Sequence, residues 1–150
     1  MSSTRVAILL GLLDEAFEKK AWHGPNLRNA IRGLTPNQAF WRPEVQRHSA
    51  WELMLHCAYW KFVALRRLTG VRNVAFGREG RNFFTVVSPT DAAWRADVKL
   101  LAGTHRNLRE AVERAPDTAI RTKSRMISGV AMHDVYHAGQ IQLLRRLYEG

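Results

Sequence analysis

The sequence predicts an all-α protein, a four-helix bundle with short extra helices between its first and second long helices. Apolar residues recur at helical spacing in four long stretches, and residues typical of helix starts precede several of them. No stretch alternates between apolar and polar residues for long enough to build a sheet. With 150 residues, 46% of them hydrophobic and 24% charged, the chain is expected to form one soluble domain over residues 1–150.

The first half of the chain contains the first long helix and the short ones. Apolar spacing predicts a helix from about Thr4 to Trp22, which Gly24 and Pro25 stop. A shorter helix is expected from Asn26 to about Gly33. The run Thr35-Pro36-Asn37-Gln38 then has the form of a capping box, with a hydroxyl at the N-cap and an amide three residues later.

Three further long helices follow. A second capping box, Ser49-Ala50-Trp51-Glu52, predicts a helix that continues to about Leu68, where Thr69-Gly70 ends it. Ser88-Pro89-Thr90-Asp91 starts the next, which reaches about Ala115. The last is expected from near Ser124 to about Tyr148. Four helices of roughly 20 residues with short connections are typical of a bundle.

Residues 70–87 do not follow helical periodicity. They include Gly77, Gly80 and the apolar cluster Phe83-Phe84-Thr85-Val86-Val87. A long irregular segment in a compact domain is often functional. The alternative is a strap that closes one end of the bundle, and the sequence leaves both interpretations open.

The charge balance is strongly basic, with a net charge of +10 at pH 7. The cationic residues are spread along the chain without a block of five or six, and no aromatic-glycine RNA signature occurs. This pattern favours solvated surface, with a share that attracts an anionic small-molecule substrate, over a nucleic-acid interface.

Location is indicated by cysteine content and hydropathy. The single cysteine, Cys57, excludes an internal disulfide and fits a reducing cytoplasm. The apolar run from Val6 to Leu13 is too short for a membrane span, and no cleavage site of an export signal follows it. We therefore expect a cytoplasmic protein without a membrane partner.

Two histidines four residues apart, His133 and His137, are the most informative feature of the chain. Both fall on a stripe of the last helix that otherwise faces the core, and such rings lie about 6 Å apart along a helix. His56 occupies an inward position on the second long helix. Burying three imidazoles without partners is costly, whereas one divalent ion would satisfy three of their nitrogens. The sequence therefore predicts a metal site of His56, His133 and His137.

Other polar residues near this motif are candidates for the chemistry. Asp134 directly follows His133, at the position of the general base in the zincin motif His-Glu-x-x-His. Its side chain is shorter than glutamate, and no third metal ligand of the metalloprotease kind follows. We therefore expect Asp134 to orient a ligand imidazole or an arginine through a hydrogen bond. Gln140 could face the cavity, and Tyr136 or Tyr59 could offer a hydroxyl to substrate. Cys57 is expected to pack in the core. The remaining histidines, which are expected in loops or at the surface, are His23, His48 and His105. Of these, His48 lies just before the second capping box and is expected at the rim of the site.

Several motifs together resemble the DinB-like superfamily of bacterial proteins over essentially the whole chain. They are Trp22-His23-Gly24-Pro25-Asn26-Leu27, Pro43, His48-Ser49-Ala50-Trp51-Glu52-Leu53-Met54-Leu55-His56, and His133-Asp134 followed by Tyr136-His137-Ala138-Gly139-Gln140-Ile141. The resemblance implies an up-down-down-up four-helix bundle, often a homodimer. It also implies a nickel or zinc ion held by the residues that match here as His56, His133 and His137.

The function that the resemblance implies is metal-dependent chemistry on a small molecule. Characterised branches resemble S-transferases that use a low-molecular-weight thiol and a mycothiol-dependent isomerase. The ion would activate either a thiol cofactor or a water molecule for hydrolysis, and the resemblance favours the thiol. Two alternatives stay open at this point. One is a non-catalytic metal-binding stress-response module, and the other is a nucleic-acid-binding bundle driven by the positive charge.

Overall fold

All regular secondary structure within residues 4–150, the part of the chain that the structure describes, is α-helical. The computed structural model contains six helices in this range: α1 (Thr4–Phe17), α2 (Leu27–Ile31), α3 (Pro36–Phe40), α4 (Ala50–Thr69), α5 (Asp91–Arg114) and α6 (Asp117–Glu149). The all-α prediction is confirmed, and the two short helices lie between the first and second long ones as expected.

Local hydrogen bonds start and stop the helices where the caps were predicted. Thr35 and Gln38 exchange side-chain and backbone bonds of 3.2 and 2.9 Å at the start of α3. Ser49 and Glu52 do the same at the start of α4, at 3.2 and 2.8 Å. Gly70 ends α4 in the left-handed region, with φ of 74°, which glycine adopts without a steric penalty.

Two predicted helix boundaries were wrong. Helix α1 ends at Phe17 and not near Trp22, because the Asp14 carbonyl accepts the amides of both Glu18 and Lys19 and closes the last turn. Helix α6 begins at Asp117, seven residues before Ser124. Pro116 precedes it in an extended conformation with φ of −64°, the value that the proline ring fixes, and the negative charge of Asp117 suits the first turn.

Side-chain contacts connect the four long helices. Trp51 on α4 donates to Asp97 on α5 at 2.8 Å, and Asp97 also pairs with Arg78 at 3.1 Å. Phe17 on α1 stacks on His105 of α5, with ring centroids 3.8 Å apart. Helix α4 packs on α6 as well as on α5, and α1 packs on both α5 and α6.

The apolar core has two parts. One surrounds the first half of α4 and includes Trp51, Met54 and Leu55, which are almost fully buried. The other joins α1 to α5 and α6 through residues such as Leu13, Leu108 and Ile127. Within residues 4–150, none of the helices combines the length and the hydropathy that crossing a membrane requires.

A partly buried ion pair joins α1 to α5 and makes part of the stability depend on pH. Burial alone would raise the pKa of Asp14, but hydrogen bonds from Arg109 at 2.7 Å and Lys19 at 2.7 Å outweigh it and leave the pKa below 3.8. The folded state therefore binds this proton less readily than the unfolded chain. Stability from Asp14 is fully present above about pH 4 and is lost as the pH falls through the lower, folded-state pKa.

We expect Asp14→Asn to lower the free energy of unfolding at pH 7 by about 1–3 kcal/mol, because it removes charge-assisted hydrogen bonds to Arg109 and Lys19. The difference from the parent protein should shrink as urea unfolding is repeated at lower pH. Glu110→Gln, which removes a half-exposed partner of Arg114, serves as the control and should change stability little. A deficit of Asp14→Asn that does not depend on pH would contradict the assignment.

Candidate metal centre

Three imidazoles from two helices meet at one point of the structure. The Nε2 atom of His133 lies 3.1 Å from Nε2 of His56 and 3.0 Å from Nε2 of His137. His56 comes from α4, whereas His133 and His137 lie one turn apart on α6. His56 and His137 are buried and His133 is partly exposed. The three side chains that the sequence singled out are therefore brought together.

The orientation of His56 is fixed by the irregular segment between α4 and α5. Its Nδ1 lies 2.9 Å from the carbonyl oxygen of Asn82, which can only accept a hydrogen bond. Nδ1 therefore carries the hydrogen, and the lone pair of a neutral His56 is on Nε2. Asn82 has φ of 69°, and its side-chain oxygen accepts a 3.1 Å bond from Trp60 Nε1.

Aromatic stacking holds the same ring from its face. Phe83 stacks on His56 with centroids 4.1 Å apart and an interplanar angle of 5°. His48 stacks on Phe83 at 3.8 Å and 4°. The segment over residues 70–87 thus supplies both a hydrogen-bond acceptor and a packing surface to the first histidine. His48 lies at the rim, as expected, and is partly exposed.

His137 is oriented by its own helix. Gln140 donates through Nε2 to the Tyr136 hydroxyl at 3.3 Å, which leaves its Oε1 to accept from His137 Nδ1 at 2.6 Å. The lone pair of neutral His137 is therefore also on Nε2. Tyr136 is exposed and its ring lies edge-on to His137, 4.9 Å between centroids.

All three imidazoles are held in the neutral form, which is the form that binds metals. Burial lowers the pKa of each ring first, and neighbouring histidines lower it further. The pKa of His133 falls to about 4, with burial, then His137 and His56, as its causes. The hydrogen bonds to Asn82 and Gln140 act in the opposite direction on His56 and His137 without reversing the shift.

This arrangement fits a divalent cation. Two lone pairs, on His56 and His137, point to a third nitrogen that can offer one hydrogen at most, so neutral rings alone leave the cluster poorly compensated. Ligand nitrogens about 2.0 Å from a tetrahedral ion lie about 3.3 Å from each other, close to the separations found here. The cluster is compatible with metal binding, with each residue offering one nitrogen.

Asp134 does not take the place predicted for it. It makes no hydrogen bond to a ligand imidazole or an arginine in the described structure; its carboxylate instead pairs with Lys61 of α4, and both side chains are fully buried. Burial raises the pKa of Asp134, and the nearby Lys61 ammonium opposes that shift. Asp134 Oδ1 and His133 Nδ1 are buried without a hydrogen-bond partner among the described residues.

His105 was also predicted wrongly, because it is buried on α5 rather than placed in a loop or at the surface. Its Nδ1 lies 3.2 Å from Lys61 Nζ and accepts that hydrogen bond. Burial, followed by the adjacent Lys61 charge, lowers its pKa to about 3, so the ring is neutral. His23, in contrast, is exposed as expected.

Lys61 and Asn82 are the residues near this centre that sequence reasoning missed. A signal for Lys61 existed, because it is the one charged member of the inward stripe Met54, Ala58, Lys61 and Leu65. Nothing comparable singles out Asn82. Its role depends on a backbone conformation in a segment without periodicity.

Cys57 packs in the core, as predicted. Its thiol, one nitrogen of His133 and one oxygen of Asp134 lie within 4.8 Å of one another. Burial raises the pKa of the thiol well above its ordinary value. The deprotonated form, which is the form of cysteine that binds metals, is therefore disfavoured. Asp134 is already paired with Lys61, and the three histidines are therefore the stronger ligand set.

A family model described as the DinB superfamily matches residues 21–141. The chain belongs to the DinB superfamily. The matched residues of this DinB protein include the three histidines of the cluster, the irregular segment over residues 70–87, and Lys61. No curated protein and no solved structure matches it significantly.

We expect Asn82→Ala to weaken zinc affinity by roughly tenfold to hundredfold, because alanine disfavours the left-handed conformation that aims the carbonyl at His56. Asn82→Gly should stay within about threefold of the parent protein, since glycine adopts that conformation readily. Competition with a chromophoric chelator measures both affinities. Trp60→Phe, which removes the indole N–H that bonds to the Asn82 side chain and leaves the Asn82 backbone unchanged, is the control. Equal losses in the alanine and glycine variants would refute the role of the backbone carbonyl.

We expect Lys61→Met to destabilise the protein by about 3–5 kcal/mol, because it leaves the fully buried Asp134 carboxylate without its partner. The double variant Lys61→Met with Asp134→Leu should recover most of that loss, since both buried charges are then gone. Urea unfolding of the parent and of the single and double variants measures this. A single variant as stable as the parent would show that the pair is not a buried ionic contact.

Proposed function

We propose that this DinB protein is a metal-dependent enzyme in which His56, His133 and His137 hold one divalent ion, nickel or zinc. The observation that carries the proposal is the convergence of three Nε2 atoms whose neighbours fix the tautomers of His56 and His137. A cation held by three neutral imidazoles keeps its full charge and open positions, and lowers the pKa of a thiol or water that reaches it.

The residues around the three histidines orient two of the rings, cover one of them, or join the helices that carry them. Asn82 and Gln140 hold two rings in the ligand tautomer, and Phe83 covers one face of His56. Asp134, with no exposed surface, is too deeply buried to exchange a proton with substrate. We assign it a structural role between α4 and α6. Of the catalytic candidates from the sequence, Tyr136 and Gln140 remain able to contact substrate.

A cavity that Gln140, the hydrogen-bond partner of His137, helps to line offers room for a substrate, although none of the three ligand histidines lines it. It has a volume of about 510 Å³, and His48, Leu53 and Gln140 form part of its lining. Small-molecule sites of this size are ordinary, and apolar walls with a few polar groups are typical of them. We propose that a low-molecular-weight thiol or its acceptor enters here, for S-transferase or isomerase chemistry. Hydrolysis of a small molecule is the second form of the same proposal.

Elemental analysis tests the metal assignment directly. Protein purified without a metal-affinity tag should contain about one divalent ion per chain. His56→Ala, His133→Ala and His137→Ala should each lose most of it, because two neutral ligands bind far more weakly than three. His23→Ala changes an exposed histidine and should retain the ion. Metal content that is the same in all four variants would overturn the assignment.

The reaction class requires a separate assay. Thiols of different size and charge, with an electrophilic acceptor, should be compared on protein loaded with zinc, nickel or manganese. Thiol-dependent product formation that disappears in His133→Ala would support the transferase form. Turnover of ester or amide substrates without a thiol would support the hydrolytic form instead.

A structural ion in a non-catalytic stress-response module is the second candidate. It is favoured by the burial of His56 and His137 and by the position of the centre between α4 and α6. An ion that binds only the folded state adds its binding free energy to stability. A large drop in melting temperature after chelation, together with no turnover in the assays above, would favour this candidate.

We also infer that the chain is one domain over residues 1–150, a four-helix bundle in up-down-down-up order. Two contacts in the same sequence order, Trp51 to Asp97 and Lys61 to His105, support parallel α4 and α5. Contacts in reverse order support two antiparallel pairs. For α4 with α6 they are His56 to His137 and Lys61 to Asp134, and for α1 with α5 they are Asp14 to Arg109 and Phe17 to His105. The homodimer that the family resemblance implies stays a prediction, for which light scattering is the measurement.

A further inference from the structure

The C-terminal end of α4 forms one wall of a cavity whose charged side chains are all cationic. The cavity has a volume of about 440 Å³, and Arg66, Arg67 and Arg72 line it together with Tyr59 and Val63. No aspartate or glutamate contributes to the lining. The positive potential inside is therefore not cancelled locally.

Three other cavities of the described surface differ in this respect. The one that Gln140 helps to line includes Glu44, another includes Glu110 and a third includes Glu52. One further cavity, of about 430 Å³ and lined in part by residues 74–76, resembles the cavity of Arg66, Arg67 and Arg72. Lys99 and Arg106 line it, and no acidic residue does. A concave surface of one charge sign concentrates counter-ions there.

Arg66 is already held in place at this cavity. Its Nε and Nη2 donate to the carbonyl oxygens of Val71 and Arg72 at 3.4 and 3.2 Å. Its guanidinium also lies over the Phe62 ring, 5.7 Å from the centroid. A guanidinium has five N–H donors, so three remain for a ligand. Little side-chain entropy is then lost when an anion binds.

None of the three guanidinium groups is paired with a carboxylate anywhere in residues 4–150, although many other arginines of this part of the chain are. Arg72 reaches the cavity because Gly70 turns the chain in the left-handed conformation, with φ of 74°. Three unpaired cations on one concave surface repel each other. An anion bound between them relieves that repulsion.

We propose that this cavity binds the phosphate group of a small molecule. Arginine forks match phosphate oxygens in a bidentate manner, and three cations suit a group that carries close to two negative charges. A concave space of 440 Å³ is the size of a small-ligand site, whereas a nucleic-acid backbone needs an extended basic surface. The proposal does not depend on the metal centre, because none of the three histidines lines this cavity.

Titration calorimetry with inorganic pyrophosphate tests the site on the full chain. We expect Arg67→Gln with Arg72→Gln to weaken binding by at least about tenfold, because charge-assisted hydrogen bonds are lost. The two side chains make no hydrogen bond or ion pair within the described residues, so the double variant should fold and unfold like the parent. Arg121→Gln with Arg125→Gln removes the same charge from exposed positions on α6 and is the matched control. It should bind within about twofold of the parent.

Other results separate a phosphate site at these arginines from three alternatives. These are binding at the metal centre, a general effect of net charge, and a preference for a different anion. Unchanged pyrophosphate binding in His133→Ala with His137→Ala would support a site separate from the metal centre. Equal losses in the two arginine double variants would overturn the proposal, because net charge alone would then account for binding. Succinate bound as tightly as pyrophosphate, or single-stranded DNA bound through the same arginines in preference to it, would also overturn it.

Discussion

The Lys61–Asp134 ion pair is the contact on which the geometry of the candidate metal centre depends. It joins α4 to α6 in the interior, five residues after His56 on one helix and one residue after His133 on the other. Within residues 4–150 neither charge has another partner of opposite sign and both side chains lack solvent contact, so loss of either one leaves the other buried and unpaired. A shift of either helix along its axis would separate them. A contact that is costly to break therefore lies beside the histidines whose Nε2 atoms are 3.0–3.1 Å apart.

Metal binding by the candidate centre would depend in turn on keeping three rings neutral and correctly oriented. Burial lowers their pKa values, which favours the unprotonated nitrogen that a cation needs. Burial alone leaves the tautomer free, so hydrogen bonds have to select it. Asn82 does so for His56 and Gln140 does so for His137. The hydrogen-bond acceptors around the rings therefore determine where the lone pairs point. The spacing of the histidines along the sequence does not determine this by itself.

The sequence was sufficient for features that depend on local periodicity and capping. Helix α4 begins at a capping box and ends at a glycine, and both were readable. The inward positions of His56, His133 and His137 follow from helical spacing, and the structure brings these residues together. Asp134 and His105 were misplaced because their surroundings come from other helices: Lys61 lies 73 residues before Asp134 and 44 before His105. Spacing on one helix indicates which side a residue faces, but not what it meets there.

The irregular segment after α4 shows why a bundle-like protein would keep a long connection of this kind. In a helix, nearly every backbone carbonyl is occupied by an amide four residues later. Outside the helices the carbonyls of Val71, Arg72 and Asn82 are free to accept side-chain donors, and they bind Arg66 and His56. A helical connection would have closed these acceptors. The absence of regular structure over residues 70–87 is thus what lets the segment orient a guanidinium at one end of α4 and an imidazole near its middle.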